Sequence, residues 1–458
     1  MTIAKSHPFR LQESDIFSRS KLVRMYVPIL MEQLLLAMLA LADTLLASYL
    51  SDEATAGVSY VLTVNNWVNA FFSGLAAGSS VLTSQYIGGK RTAHAAASIR
   101  MALLANGVIS FAFCGLLMIN RAGFLQLVLG KMDPVTLGYS VDYFTYMIPA
   151  YFLRAMVFVC TATLRSQGNT KQSMILNVGM TLLSLAFKLL YSYGFNMGVR
   201  GFSLATTTAA AVTVIAAVLL LEFGKGNIRV FTHLHGAKFV NLPMAIRSIG
   251  IGLPVAVDSS MFQTGVLMLS RMLVTYGVVH SAAQGISNQL TPILYHFGNC
   301  WGLVGLVAVG RCIGADDKEQ AKRYYRLMML YGIVIQFFNS IAGFLLADKL
   351  VLLFGGSPEV HALAAKLLRI FCIFAFPFYP MSFAQPQMLR GAGDTKFTMW
   401  VSIGAMFLVR VGLGYVLGTI FKLGAVGLYL AMCVNWIIRA LCFAFRYRSG
   451  KWLNKKVY

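Results

Sequence analysis

The sequence predicts an all-α integral membrane protein of about twelve transmembrane helices in two parallel-repeat six-helix bundles, and three observations carry that prediction. Hydrophobic residue types fill 58% of the 458 positions and charged types only 12%. With a mean hydropathy of +0.69, the chain lies well outside the range of soluble globular proteins. Apolar runs of about 20 residues, enough for a helix to cross hydrocarbon, recur roughly twelve times between short polar breaks. Blocks of sequence in the first half return in the second, which marks an internal repeat. Barrel strands are excluded, because they would be about 10 residues long with polar and apolar positions alternating.

The elements follow in order. A polar lead-in, 1–22, contains Lys5, Arg10, Arg19 and Lys21 and lacks the short apolar core and small-residue cleavage site of a signal peptide. Span one, Val23–Leu50, closes at the polar stretch beginning with Ser51. Val58–Ser80 leads into a turn with Lys90, Arg91 and Arg100, and Ala96–Ile119 ends before Arg121. Gly138–Leu164 leads into Arg165 and Lys171; Gln172–Gly194 and Gly201–Glu222 then complete a first lobe, 23–222. A basic linker, 223–247, carries Lys225, Arg229, Lys238 and Arg247. The second lobe, 248–447, takes Ser248–Gly277, Ile286–Arg311, Tyr324–Leu346, Ala362–Met388, Phe397–Ile420 and Ala425–Arg446. A basic tail, 448–458, follows.

The net charge of +22 is read by location. Lys and Arg crowd the loops after even-numbered spans, whereas the opposite side offers only Arg121, Lys131, Arg200, Lys349 and Lys422. The positive-inside rule therefore puts both termini in the cytosol. The charge reports topology and gives no reason to expect a nucleic-acid partner. Seven scattered cysteines show no metal or redox spacing.

"TLRSQGNTKQS" after span four returns as "MLRGAGDTKFT" after span ten, and the Ile-Gly ending of span two returns at the end of span eight. Gly198 and Gly201 before span six answer Gly424 and Gly427 before span twelve. An even number of spans per repeat returns the chain to its starting side, so the halves are parallel, an arrangement typical of transporters.

With these motifs in place, the chain resembles the multidrug and toxic compound extrusion (MATE) family, within the wider superfamily that includes polysaccharide and lipid-linked oligosaccharide flippases. The resemblance rests on "VPILMEQLLLAMLALADTLLASYL" with Pro28 and Asp43, "TSQYIGGKR", the paired "LRSQGNTK" and "LRGAGDTK" turns and "GLPVAVDSS". It implies a V-shaped pair of bundles that exports drug-like, often cationic compounds in exchange for protons or sodium.

Charges inside spans are the candidate sites, since one at the bilayer centre costs about 2.5–3.5 kcal/mol on insertion scales. Counting from the outer loops at ~1.5 Å per residue places Asp43, Lys188 and Thr206 at one level, about 8–12 Å below the outer surface. The resemblance implies a cation-binding cluster there, with Asp43 as its acid and Thr206 as its threonine. On span five Lys188 and Ser184 depart from the family pattern. An ammonium has no lone pair to offer a metal ion, so the expected coupling ion is the proton, with sodium less favoured. Lys188 reads either as a partner of Asp43 or as a side chain that snorkels to the surface. Glu32 lies on nearly the same helical face as Asp43 and is a second candidate; Pro28, a turn earlier, offers a hinge. In the second lobe Asp258 and Arg410 read as a structural pair or as a substrate contact, and Arg271 sits at a depth comparable to Asp43.

Cleft candidates are Asn65, Asn66, Asn69, Asn177, Asn288, Gln289, Tyr379 and Met381, because amides orient a ligand while Met and aromatic side chains repack around varied apolar bodies. The expected function is a secondary active antiporter of the plasma (inner) membrane. It would act as a monomer, need no cofactor, and export small organic, cationic or amphipathic compounds with proton influx through the first lobe. A flippase or exporter of an anionic amphipathic or lipid-linked substrate is the alternative; Lys188, Arg271 and Arg410 would then be counter-charges. No Gly-x-Ser-x-Gly, His-Glu-x-x-His or Walker A pattern is present, which argues against a membrane-embedded enzyme.

Overall fold

A computed structural model describes residues 15–47, 52–130, 133–224, 228–231 and 241–457, with no side chain described at 41, 43–45, 47, 52–54, 129 and 377. The described chain is all-α. Its long helices are α1 (Arg19–Ala47), α2 (Asp52–Gly88), α3 (Thr92–Ile119), then after the short α4 (Arg121–Leu129), α5 (Pro134–Ser166), α6 (Thr170–Lys188), α7 (Gly198–Phe223) and α8 (Leu242–Val274). There follow α9 (Val278–Gly314), α10 (Lys318–Leu345), the short α11 (Ala347–Val351), α12 (Pro358–Gly391), α13 (Thr395–Gly404) and α14 (Gly424–Arg448). Among the described residues nine helices are long and apolar enough to cross a membrane, or ten with the two halves of α12, bent by 54° at Phe376, counted as one. The helices run past the apolar spans that the sequence marks: α2 and α9 each extend over polar turns at both ends. A helix continues as long as its backbone bonds and caps allow, whether or not its surface is apolar.

Local chemistry sets the starts. Asp133 accepts from the backbone N–H groups of Val135 and Thr136, with Pro134 as the first helical residue of α5. Asp317 caps α10 through the Gln320 N–H at 2.8 Å. Each satisfies donors that a helix N-terminus would otherwise leave bare.

The chain forms two compact units. The N unit comprises Met31–Thr83 and Arg91–Ser260, and the C unit the described part of Met1–Leu30 together with Ser84–Lys90 and Met261–Tyr458. Thus α1, α2 and α8 each contribute to both units. The N-unit core is built on Val61, Phe72, Phe144, Met147, Tyr151 and Phe202. There α2 meets α8 backbone to backbone: a Cβ at Gly78 would lie 2.5 Å from the Gly252 nitrogen, and one at Gly74 2.6 Å from the Ala256 Cα. In the C unit the first turns of α1 are held by Tyr26, whose hydroxyl donates to the Phe297 carbonyl at 2.9 Å and whose ring stacks on Trp301 at 4.2 Å. The end of α2 and the end of α9 pack reciprocally: a Cβ at Gly88 would lie 2.0 Å from the Arg311 carbonyl oxygen, and one at Gly314 2.0 Å from that of Gln85.

The repeat predicted from sequence is present in the backbone and its bonds. Gly168 and Gly393 take φ of +89° and +100° in the paired turns, and the Asn169 and Asp394 N–H groups return to the Leu164 and Leu389 carbonyls at 2.9 and 3.0 Å. Arg165 Nε donates to Ser173 Oγ at 3.0 Å, and Arg390 Nε to Thr398 Oγ1 at 3.3 Å. Both α6 and α13 continue into π-helical turns, Leu189–Gly194 in the first repeat and Ala405–Leu413 with Val416–Ile420 in the second.

Overpacking at the reciprocal contact is expected to be costly, by about 1–3 kcal/mol or more. Gly88→Leu and Gly314→Leu should each lower the thermal unfolding midpoint in detergent. Gly115→Ala, where a Cβ meets nothing within 4 Å, should leave that midpoint unchanged or raise it.

Candidate functional site

α6 is amphipathic in the inverse sense expected of a helix in lipid. Its buried residues are Thr170, Ser173, Leu176, Asn177, Ser184 and Lys188, while Ile175 and Leu182 are about half exposed, at 52% and 51%. The polar side chains fall on one stripe because residues three and four apart share a helix face. The result is a polar seam inside the N unit, bordered by α1, the end of α5 and α7.

At one end of the seam stands Glu32, which is 1% exposed. Its Oε1 forms an ion pair with Arg165 Nη2 and accepts from Asn177 Nδ2 at 2.7 Å. Its Oε2 is buried with no hydrogen-bond partner. Arg165 is itself fixed through Nε on Ser173, so one residue of the span-four turn and one of α6 converge on a carboxylate of α1, with Ser173 holding the first in place. A buried, paired carboxylate of this kind contributes to stability mainly in that removing its partner is costly, by about 3–5 kcal/mol.

At the other end Ser184 Oγ and Thr206 Oγ1 lie 3.3 Å apart, and Thr206 also donates to the Phe202 carbonyl at 3.4 Å. Lys188, one turn beyond Ser184, is 4% exposed, and its ammonium sits 4.1 Å from the centroid of the Phe202 ring. Burial on an aromatic face is not snorkelling: the charge is held inside the unit, where cation–π attraction in a desolvated setting is worth about 2 kcal/mol or more. The side chain of Asp43 lies outside the described residues; its backbone is in α1. Of the sequence candidates, Glu32, Asn177, Ser184, Thr206 and Lys188 therefore share the seam.

The other candidates are placed separately. Asn65 is buried and accepts from the Tyr151 hydroxyl, while Asn66 is exposed and Asn69 half-buried. Asn288 and Gln289 are exposed on α9, and Met381 is half-buried on α12. Tyr379 is 6% exposed and stacks between Phe383 and Tyr295, with ring centroids 4.5 and 4.9 Å away. Pro28 lies within α1, close to the Leu30–Met31 boundary between the units.

Asp258 belongs to the N unit and Arg410 to the C unit; within its own unit Arg410 has Phe262 as its ring partner at 5.5 Å, with a buried Nε that has no acceptor. Arg165 reads in the sequence as a topology marker and proves to be the partner of Glu32. The signal was its recurrence as Arg390 eight residues before a hydroxyl residue, Ser173 or Thr398, in both halves.

A family model described as MatE matches two stretches of the chain, 28–190 and 251–416. The chain belongs to the MatE family. It is thus a multi-pass membrane transporter and not an enzyme. Similar relatives include a Bacillus subtilis protein named "Uncharacterized transporter YisQ", 25% identical over 441 residues, covering 93% of this chain and 94% of the relative. The rabbit (Oryctolagus cuniculus) "Multidrug and toxin extrusion protein 1" is 24% identical over 427 residues, covering 91% of this chain and 72% of the relative. A solved MATE structure in the bent conformation aligns with a TM-score of 0.84 at 18% identity, over 96% of this chain and 97% of that one; this likeness shows the MATE fold.

The Glu32–Arg165 pair has a thermodynamic signature. Arg165→Gln alone should lower the thermal midpoint clearly, because it strands a buried carboxylate, with a cost of about 3–5 kcal/mol. The double variant Glu32→Gln with Arg165→Gln should be more stable than Arg165→Gln alone. Equal midpoints for the single and double variants would show that the pair contributes nothing.

Proposed function

We propose that this transporter exports small amphipathic organic compounds from the cytosol by alternating access, driven by protons that enter through the polar seam of the N unit. The observation that carries the reading is Glu32: sealed from solvent, it uses Oε1 for two donors and leaves Oε2 bare. A proton taken by Oε2 would cancel the charge that holds Arg165 and Asn177, so the two protonation states favour different arrangements of α1 against α5 and α6. Asp43 lies further along the same helix toward the outside and is the entry-side acid. Lys188, fixed near the same end of α6, disfavours a metal cation in the seam and with it a sodium cycle.

Alternating access requires an element that both protonation and lobe position bias. We assign this to α1, in which Pro28 removes a backbone donor near the point where the helix passes from one unit to the other. The lobes 23–222 and 248–447 then rock as a monomer in the plasma (inner) membrane, with both termini in the cytosol. The protein needs no cofactor beyond its coupling ion.

Reconstitution tests this directly. In proteoliposomes loaded with anilinonaphthalenesulfonate, a fluorescent amphipathic compound, an imposed proton gradient alone should drive transport and a sodium gradient alone should not. Glu32→Gln, Asp43→Asn and Lys188→Ala should each slow proton-driven transport by about tenfold or more, the size expected from losing a charge-assisted contact worth about 1.5–3 kcal/mol. Wild-type rates in Glu32→Gln and Asp43→Asn, or transport driven by sodium alone, would refute the assignment.

A further inference from the structure

In the C unit Arg410, like Lys188 in the N unit, meets an aromatic ring within a span. Arg410 lies near the middle of the Thr395–Ile420 span, in the π-helical stretch Ala405–Leu413. It makes no ion pair among the described residues. One face of its guanidinium is covered by Phe262 of α8, 5.5 Å to the ring centroid, and its Nε is buried without an acceptor. The residue as a whole remains half-buried, so part of it can still be reached.

The ring that covers Arg410 continues to Tyr379: Phe262 meets Phe383 edge-on at 6.3 Å and Phe383 stacks on Tyr379 at 4.5 Å; Tyr429 and Cys433, a neutral phenol and a neutral thiol, are also near the guanidinium. Tyr379 is also within the reach of a second cation, Arg439, which donates to the Ser382 carbonyl at 2.9 Å. An arginine kept in a membrane interior is ordinarily matched by an acid, a water-filled cavity or a ligand. Among the described residues of the C unit, Arg410 has aromatic surface and phenols beside it and no ion-paired acid. That combination suits an oxyanion: guanidinium edges give paired donors to a carboxylate, sulfonate or phosphate, and the stacked rings of Tyr295, Tyr379 and Phe383 offer an apolar floor.

We propose that Arg410 and Tyr379 form the binding site for an acidic group, a carboxylate, sulfonate or phosphate borne on an apolar body, so that the exported compound is an organic anion or zwitterion. The proposal rests on the exporter reading above and names its substrate class. The anion could come from a soluble compound or from a lipid headgroup, and the two share the same recognition chemistry.

The test is equilibrium binding of radiolabelled naphthoate, an aromatic monocarboxylate, to the full chain reconstituted in phosphatidylcholine vesicles, with naphthyltrimethylammonium as the cation of similar size. Naphthoate should bind the wild type; Arg410→Gln should weaken it by about tenfold or more, Arg410→Lys should retain much of it, and binding of the cation should not weaken in either variant. If Arg410→Gln fails to fold, Tyr379→Phe should still weaken naphthoate severalfold in a protein with a normal thermal midpoint. Loss of naphthoate binding when phosphatidylglycerol is added to the vesicles identifies a lipid headgroup as the occupant; persistence identifies a soluble anion. No naphthoate binding above empty vesicles, or equal affinity in wild type and Arg410→Gln, overturns the site; Arg410 is then a structural cation held by Phe262. Arg410-dependent binding in a protein that exports nothing would refute the exporter reading and leave the site standing, whereas export without such binding does the reverse.

Discussion

A charge sealed inside a membrane protein has to be held by opposite charge or by donors, because neither lipid nor a packed core solvates it. Glu32 is the point at which this constraint shapes the N unit. Its carboxylate takes donors from the span-four turn and from α6, and the requirement to bring those donors together explains why the buried face of α6 is polar while its other side is apolar. Ser173 orients Arg165, Arg165 meets Glu32, and Asn177 closes the group. Any displacement of α1 must break or rebuild this set.

The two repeats share a scaffold and differ in what fills it. The positive-φ turns, the Arg-to-hydroxyl bond of each half and the π-helical widening after α6 and α13 recur, since they solve the same problem of ending one span and beginning the next. The interiors diverge. The N unit sets an amide, hydroxyls and an ammonium along one face of α6, with the carboxylate of Glu32 brought to it by α1, whereas the C unit places Arg410 against aromatic rings. The C unit also has a buried acid held twice, Asp394 by Arg446, but in the turn before α13 rather than within a span.

The sequence carried the fold well because lipid simplifies the rules. Helices are obligatory for single segments, apolar length marks spans, and basic loops mark topology, so α3, α5, α7 and α14 are legible to within a few residues. The helical extensions of α2 and α9 were not, because hydropathy is blind to helix beyond the hydrocarbon. Within the site, Glu32 and Lys188 were visible as charges inside apolar spans, and Ser184 and Thr206 through the resemblance to the family. Arg165 was masked by its place in a basic turn, where the positive-inside rule already accounts for it.

The central claim is that Glu32 changes its proton occupancy while buried. Infrared difference spectroscopy of the reconstituted protein between alkaline and acidic outer solution measures that directly, through the carbonyl stretch of a protonated carboxylic acid. The account predicts a band that grows on acidification and is missing in Glu32→Gln, with isotope-labelled glutamate shifting its frequency. A wild-type spectrum identical to that of Glu32→Gln would contradict it.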